Sequence, residues 1–227
     1  MKSYRDNDRL LFLTSLRYLR DKLDFHPNNL LDLGCSDGSL TLGIKNLFNL
    51  NLEKIFGLEY DDKRVKLARE RGINSFQLDL NKDKIPFEDN ELDLITANQV
   101  LEHIFELENL LSEVHRVLSP KGFFVLGTPN LAALHERLSL LFGYNPSTWH
   151  TANIQIGLLR GKPTNHREHV NGFTIKGLRY LLEYYGFEPV KLFVGKVYVK
   201  TDFYIPFLEK IFPGLALSQV WLCKVKK

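Results

Sequence analysis

The sequence predicts an α/β fold: a seven-stranded, mostly parallel sheet flanked by helices, with an insertion after the fifth strand. Three observations predict it. Short apolar runs alternate with amphipathic stretches between residues 30 and 126, a pattern that builds parallel sheets. The first run, Leu30–Leu33, enters a tight turn carrying Gly34 and Gly38, and a helix follows from about Ser39. The alternation then breaks, leaving residues 129–172 as a polar, His-rich interruption.

Each element has a local reason. Residues 8–24 read as an amphipathic helix with Leu13, Leu16, Leu19 and Leu23 near one face, ended by His26-Pro27-Asn28-Asn29. After the glycine turn a helix runs to about Phe48. Residues 54–59 form a second strand ending on Glu59. Asp61 and Asp62 suit the start of the next helix and Gly72 its end. Residues 74–78 and 92–97 give the third and fourth strands. The clearest helix carries Leu107, Leu110, Leu111, Val114, Val117 and Leu118, at spacings that share one face. Ser119-Pro120-Lys121-Gly122 is expected to stop it before a fifth strand at 123–126. Residues 129–172 hold one helix with Leu131, Leu134, Leu138 and Leu141 on its apolar face, followed by a long loop. Such loops are uncommon unless functional or disordered. Thr174 then caps a helix bearing Leu178, Leu181, Leu182 and Tyr185, closed by Gly186. Residues 189–194 and 219–225 are the last two strands. An aromatic stretch between them (Tyr198, Phe203, Tyr204, Phe207, Phe212) reads either as edge packing or as a peripheral lipid contact.

Composition narrows the class. The 227 residues suffice for one domain, residues 1–227, with 129–172 as a subregion; 44% hydrophobic and 25% charged residues are ordinary globular values. The net charge is +3 and no Lys/Arg block stands out, so no nucleic-acid surface is expected. Cys35 and Cys223 form neither a disulfide framework nor a C-x-x-C pattern. Charged residues from Arg5 to Arg20 interrupt the N-terminus, unlike a signal peptide. No apolar run reaches the roughly 18 residues of a membrane span. A soluble cytoplasmic protein is the expectation.

The glycine turn is the chemical landmark. Glycine allows close backbone approach to a ligand, and in open α/β sheets the ligand crevice lies at the carboxyl ends of the strands. A dinucleotide fingerprint would want glycine at 34, 36 and 39; the chain has Ser36 and Ser39, with its next glycine at 38. Glu59 ends the second strand, and its two oxygens can accept both ribose hydroxyls of an adenosine ligand. NAD sites use an acid in the same way, so Glu59 alone does not choose the cofactor. It also reads as a solvated strand-end acid. Cys35 reads as a small packing residue rather than a nucleophile.

Asp32-Leu33-Gly34-Cys35-Ser36-Asp37-Gly38 resembles motif I of the class I S-adenosylmethionine-dependent methyltransferases, an acidic residue followed by G-x-G-x-G. Ser36 departs from the middle glycine. Further stretches resemble the small-molecule group often called type 11. They are Ile85-Pro86-Phe87-Glu88-Asp89-Asn90, Asn98-Gln99-Val100-Leu101-Glu102-His103-Ile104, Glu113 to Gly122, and His169-Val170-Asn171-Gly172-Phe173-Thr174. The resemblance covers about residues 28–194 and implies a Rossmann-like sheet and S-adenosyl-L-methionine as cofactor. It implies that Asp79, at the end of the third strand, meets the adenine amino group and that the Leu80 N–H meets a ring nitrogen. The expected cofactor set is Asp32, Gly34, Cys35, Ser36, Gly38, Glu59, Tyr60, Asp79, Leu80 and Asn98.

The implied activity is methyl transfer to a nucleophilic oxygen, nitrogen or carbon of a small-molecule or glycan- or lipid-linked acceptor, with oxygen the expected atom. His103 is the candidate general base, because a near-neutral imidazole can remove a hydroxyl proton; it also reads as a packing histidine. Asn130, Trp149, His150, His166 and His169 are the candidate acceptor contacts, in a segment expected to act as a lid. His166-Arg167-Glu168-His169 is not H-E-x-x-H, so no metal is expected. Two other classes stay open: a non-catalytic adenosyl-ligand-binding protein, and a nicotinamide-dependent oxidoreductase on a similar fold.

Overall fold

The computed structural model describes residues 4–146, 169–200 and 203–227. In chain order the elements are α1 (Tyr4–Leu23), β1 (Leu30–Leu33), α2 (Ser39–Phe48), β2 (Ile55–Glu59), α3 (Asp62–Glu70), β3 (Asn74–Gln77), β4 (Leu92–Asn98), α4 (Leu107–Val117), β5 (Leu118–Pro129), α5 (Leu134–Leu141), α6 (Ile175–Tyr184), β6 (Phe187–Val194), β7 (Val197–Lys200), β8 (Phe203–Ile205), α7 (Leu208–Ile211) and β9 (Ser218–Val225). Seven strands form one sheet in the order β3-β2-β1-β4-β5-β9-β6. Only β9 runs against the rest, antiparallel to both β5 and β6. The expected seven-stranded, mostly parallel sheet is therefore the one observed.

Strand side chains alternate between two cores, as the pleat requires. Leu31, Leu33, Leu58, Ile95, Phe124, Leu126 and Trp221 pack under α4 and α6. Leu30, Ile55, Leu94, Phe123, Val125 and Leu222 face the other way, toward α1 and α2. Both faces of the sheet are covered, so its central strands are apolar almost throughout.

Four local expectations are corrected. α1 begins at Tyr4, four residues earlier than its periodicity indicates. Ser119 to Gly122 does not separate helix from strand: α4 ends at Val117 and β5 begins at Leu118. Leu118 pairs with Leu92 and Phe123 with Leu94, so residues 119–122 bulge out opposite Asp93. A bulge is a place where a sheet tolerates proline, here Pro120. In α5 the buried residues are Glu136 and Ser139, whereas Leu141 is 76% exposed. The helix turns a polar stripe inward, beside the His135–Glu136 ion pair at 3.1 Å. Finally, the aromatic stretch holds a hairpin, β7–β8, and α7. Phe207, Ile211 and Phe212 are exposed there, so these side chains do not pack on the sheet edge. Among the described residues no helix is long and apolar enough to cross a membrane.

The lead-in to β4 is held by one arginine. Arg116 donates to both oxygens of Glu113 (2.9 and 2.7 Å) and to the carbonyls of Phe87 and Ile85. The Ile85 N–H donates to Glu113 in turn, at 2.9 Å. The pairing with Arg116 holds the Glu113 carboxyl below its usual range. Arg116→Ala would strand this nearly buried carboxylate. It should cost about 2–4 kcal/mol, somewhat below the roughly 3–5 kcal/mol for breaking a fully buried pair because Arg116 is partly exposed. A urea midpoint unchanged from wild type would contradict this assignment.

Candidate active site

The turn after β1 packs three left-handed conformations into five residues: Gly34 at φ +65°, Ser36 at +51° and Gly38 at +77°. A Cβ on Gly34 would stand 2.7 Å from Val100, and one on Gly38 would run into the tip of the Ile73 side chain. Gly34 therefore needs glycine for space as well as for angle, whereas Gly38 needs it chiefly for angle, since the Ile73 tip can move aside. Ser36 holds the same left-handed conformation without being glycine, at a strain of about 1–2 kcal/mol. Its N–H donates to Glu59 at 2.9 Å and its hydroxyl accepts from Arg64 at 3.3 Å, which offsets that strain.

Asp32 lies beneath the turn, fully buried. Thr41 of α2 and Thr96 of β4 donate their hydroxyls to its two oxygens, at 2.6 and 2.7 Å. Burial raises its carboxyl to about 6 against the lowering effect of those hydroxyls. With both oxygens engaged, Asp32 fixes the turn relative to α2 and β4. Cys35 is buried against Gly57, and burial pushes its thiol well up. That agrees with the packing reading and leaves little thiolate for nucleophilic chemistry.

Glu59 ends β2 with one oxygen accepting from Ser36 and the other from the N–H groups of Tyr60 (2.9 Å) and Asp61 (3.1 Å). The Tyr60 side chain is exposed. Asp79 follows β3. Its carboxylate accepts from the N–H and side-chain amide of Asn81 (3.0 and 3.1 Å) and pairs with Lys82 at 3.3 Å. The Asn81 N–H leads the causes that hold its carboxyl below the ordinary value. Leu80 beside it is buried.

Past β4 the chain turns sharply. Gln99 has φ +59°, and its N–H donates to Gly127 of β5 at 2.7 Å, next to Asn98. A single 3-10 turn, residues 101–103, then presents Glu102 and His103. Glu102 is buried, accepts from the Thr128 hydroxyl at 3.1 Å through one oxygen, and has no hydrogen-bond partner for the other among the described residues. Burial raises its carboxyl to about 8. Segment 169–171 is laced to the same turn: the N–H groups of Val170 and Asn171 both donate to the Glu102 carbonyl, at 2.8 and 3.1 Å. The Asn171 amide donates to the carbonyls of Leu101 and Ile104. The His103 and His169 rings meet edge to face, with centroids 4.8 Å apart.

The structure thus unites His103 with His169 of the expected acceptor set. Asn130 belongs elsewhere. It is fully buried and donates to the carbonyls of Gly214 (3.0 Å) and Ala216 (2.7 Å), while its own oxygen accepts from Ala132. It ties the chain just after β5 to the segment before β9. Trp149, His150 and His166 lie outside the described residues. Glu102, Thr128 and Asn171 were not among the residues expected at the site. A lone carboxylate inside the apolar run Val100-Leu101-Glu102 was the signal for the first of them, since unpaired acids are rarely buried without a task.

A glycine turn, a strand-end acid on β2 and a second acid after β3, on a sheet of this order, agree with the resemblance to the class I S-adenosylmethionine-dependent methyltransferases. Residues 31–126 match the family described as the methyltransferase domain. Its cofactor is S-adenosyl-L-methionine. This sets aside the nicotinamide reading. A probable S-adenosylmethionine-dependent methyltransferase of Mycolicibacterium smegmatis is 30% identical over 102 residues, which is 45% of this chain and 38% of that protein. The chain therefore spans well under half the length of this curated relative. Among solved structures, a geranyl diphosphate C-methyltransferase of Streptomyces coelicolor A3(2), in complex with Mg2+, geranyl diphosphate and S-adenosyl-L-homocysteine, is 15% identical at TM-score 0.58. That likeness covers 94% of this chain and 80% of the other. The [4+2]-cyclase SpnF is 19% identical at TM-score 0.63, covering 99% of this chain and 84% of its own. At these identities the two structures speak for the fold alone.

Asp32 makes the site's pH dependence testable. Its folded carboxyl stands near 6 against an ordinary 3.8. A raised carboxyl binds its proton more tightly in the folded state, so its contribution is complete below about pH 4 and is lost as pH rises toward and past 6. The shift corresponds to about 2–3 kcal/mol. Asp32→Asn is neutral throughout, so the stability of wild type relative to the variant should fall by about that amount between pH 4 and 7. A difference that stays flat across this range, in urea titrations at each pH, would remove Asp32 as a buried titrating group.

Proposed function

We propose that this protein transfers a methyl group from S-adenosylmethionine to a small-molecule, glycan-linked or lipid-linked acceptor, at oxygen. One observation carries the reading. The sheet order β3-β2-β1-β4-β5 sets Asp79, Glu59 and the glycine turn at three adjacent strand ends. Glu102, His103 and Thr128 follow at the ends of the next two strands. Cofactor side and acceptor side thus meet between β1 and β4, the crossover point where ligands bind in open α/β sheets.

The bound cofactor supplies an activated sulfonium methyl, so the chain's task is to bind, orient and exclude water. Ser36 and the two glycines bring backbone close to the ligand. Glu59 spends three of about four lone-pair positions on its own backbone, and the remainder accepts from ribose. Asp79 accepts the adenine amine, and the Leu80 N–H donates to the ring. Asn98 closes the side toward β4. His103 accepts the hydroxyl proton of the acceptor, and Asn171 holds the segment that brings His169 against it. The exposed Phe207, Ile211 and Phe212, with Lys210 over the Phe207 ring, support a lipid-linked acceptor delivered from a membrane surface.

Calorimetry with S-adenosylhomocysteine tests the cofactor half. Glu59→Ala should weaken binding by about 1–3 kcal/mol, and NAD should not displace the ligand. Unchanged affinity would remove Glu59 from the site. For the acceptor half, His103→Ala should spare S-adenosylhomocysteine binding and lower turnover on the true acceptor; wild-type turnover would make His103 structural. The lid reading concerns residues 129–172, of which residues 147–168 lie outside the described residues. Replacing them with a short Gly/Ser linker should retain cofactor affinity and abolish transfer, and a folded variant with full activity would defeat the lid.

A further inference from the structure

We propose that Glu102, His103 and His169 form a binding site for a divalent transition-metal ion of the zinc class, at the acceptor end of the crevice. One carboxylate and two imidazoles converge there, with their ligand atoms all within 4.8 Å of one another. Sequence spacing excluded a metal only within 166–169. This set draws instead on two segments that are distant in sequence and are laced together by backbone and amide hydrogen bonds.

The carboxylate is the strongest indication. Glu102 is 1% exposed, and its inner oxygen has no hydrogen-bond partner among the described residues. A buried acceptor left so costs about 1–3 kcal/mol. A cation coordinated by that oxygen removes the cost. The other oxygen accepts from Thr128, which fixes the carboxylate in the manner of outer-shell groups at metal sites. Asn171 and the Val170 N–H fix the position of His169 against the 101–103 turn. A cavity of about 10 Å³ adjoins the cluster, bounded by Glu102, Thr128, His169 and Phe173 among others. That is room for about one water, the usual occupant of an open fourth position.

The donor set selects the ion. Mg2+ and Ca2+ prefer all-oxygen shells, whereas two imidazoles and one carboxylate suit Zn2+, Co2+ or Fe2+. Zinc–ligand bonds of about 2.0–2.2 Å would draw the three groups inward by roughly an ångström. A cation here would acidify an acceptor hydroxyl, with His103 then serving as ligand rather than base. That role rests on the methyl-transfer reading, whereas occupancy of the site does not.

Cobalt titration of the chelator-treated, full-length protein tests the site. One Co2+ per chain should bind, with the visible absorption of a low-coordinate ion, and Zn2+ should displace it. Glu102→Gln and His169→Ala should each weaken Co2+ binding at least tenfold while leaving S-adenosylhomocysteine affinity unchanged. The conserved shape of Glu102→Gln covers the case in which His169→Ala misfolds. The proposal is overturned if the folded, S-adenosylhomocysteine-binding protein takes up no stoichiometric Co2+. It is equally overturned if uptake survives both substitutions, or if Mg2+ competes as well as Zn2+. Neither readout depends on turnover, so failure of the methyl-transfer reading would be distinguishable.

Discussion

The crevice depends on Glu59 accepting three backbone N–H groups. Ser36 lies on one side of it, and Tyr60 and Asp61 lie on the other. Through these bonds one carboxylate sets the distance between the turn after β1 and the turn after β2. It holds Ser36 in a conformation that serine adopts only under restraint. Asp32 completes the arrangement from below by joining α2 to β4 through two threonine hydroxyls. Both acids act first on the protein itself, and the ligand-facing surface is what that leaves. A charge change at either one alters the shape of the crevice as well as its polarity.

Much of this was legible in the sequence, for local reasons. The Gly34–Gly38 turn, the cap at Asp61 and the stripe from Leu107 to Val117 are short-range signals, and each produced the expected element. Ser36 was read as a departure from pattern because sequence does not show that Glu59 holds its backbone. The bulge at 119–122 was hidden because Pro120 ends helices and also suits bulges. The α5 stripe misled because burial there is set by tertiary contacts: Glu136 and Ser139 face inward although four leucines shared the helical period. Asn130 looked like a pocket residue, and only the fold shows its amide tied to residues 214 and 216. Glu102 was visible as a charge within an apolar run, but nothing local reveals that Thr128 and segment 169–171 would close around it.

The ends proposed here for cofactor and acceptor differ in chemical character. The cofactor end uses backbone, glycine and strand-end acids, features shared across a large class. The acceptor end is built from a buried acid, two histidines and a threonine, with an amide that clamps one segment onto another. A fold that hosts both methyl transfer and cyclisation among its relatives cannot name the chemistry by itself; the side chains beyond β4 and β5 must do so.

The most direct test of the central claim is a crystal structure of the complex with S-adenosylhomocysteine. The account predicts a ribose hydroxyl on Glu59 and adenine between Asp79 and the Leu80 N–H. It also predicts the homocysteine sulfur directed past Asn98 toward Glu102 and His103. A ligand bound elsewhere, or one with its sulfur turned away from the 101–103 turn, would contradict it.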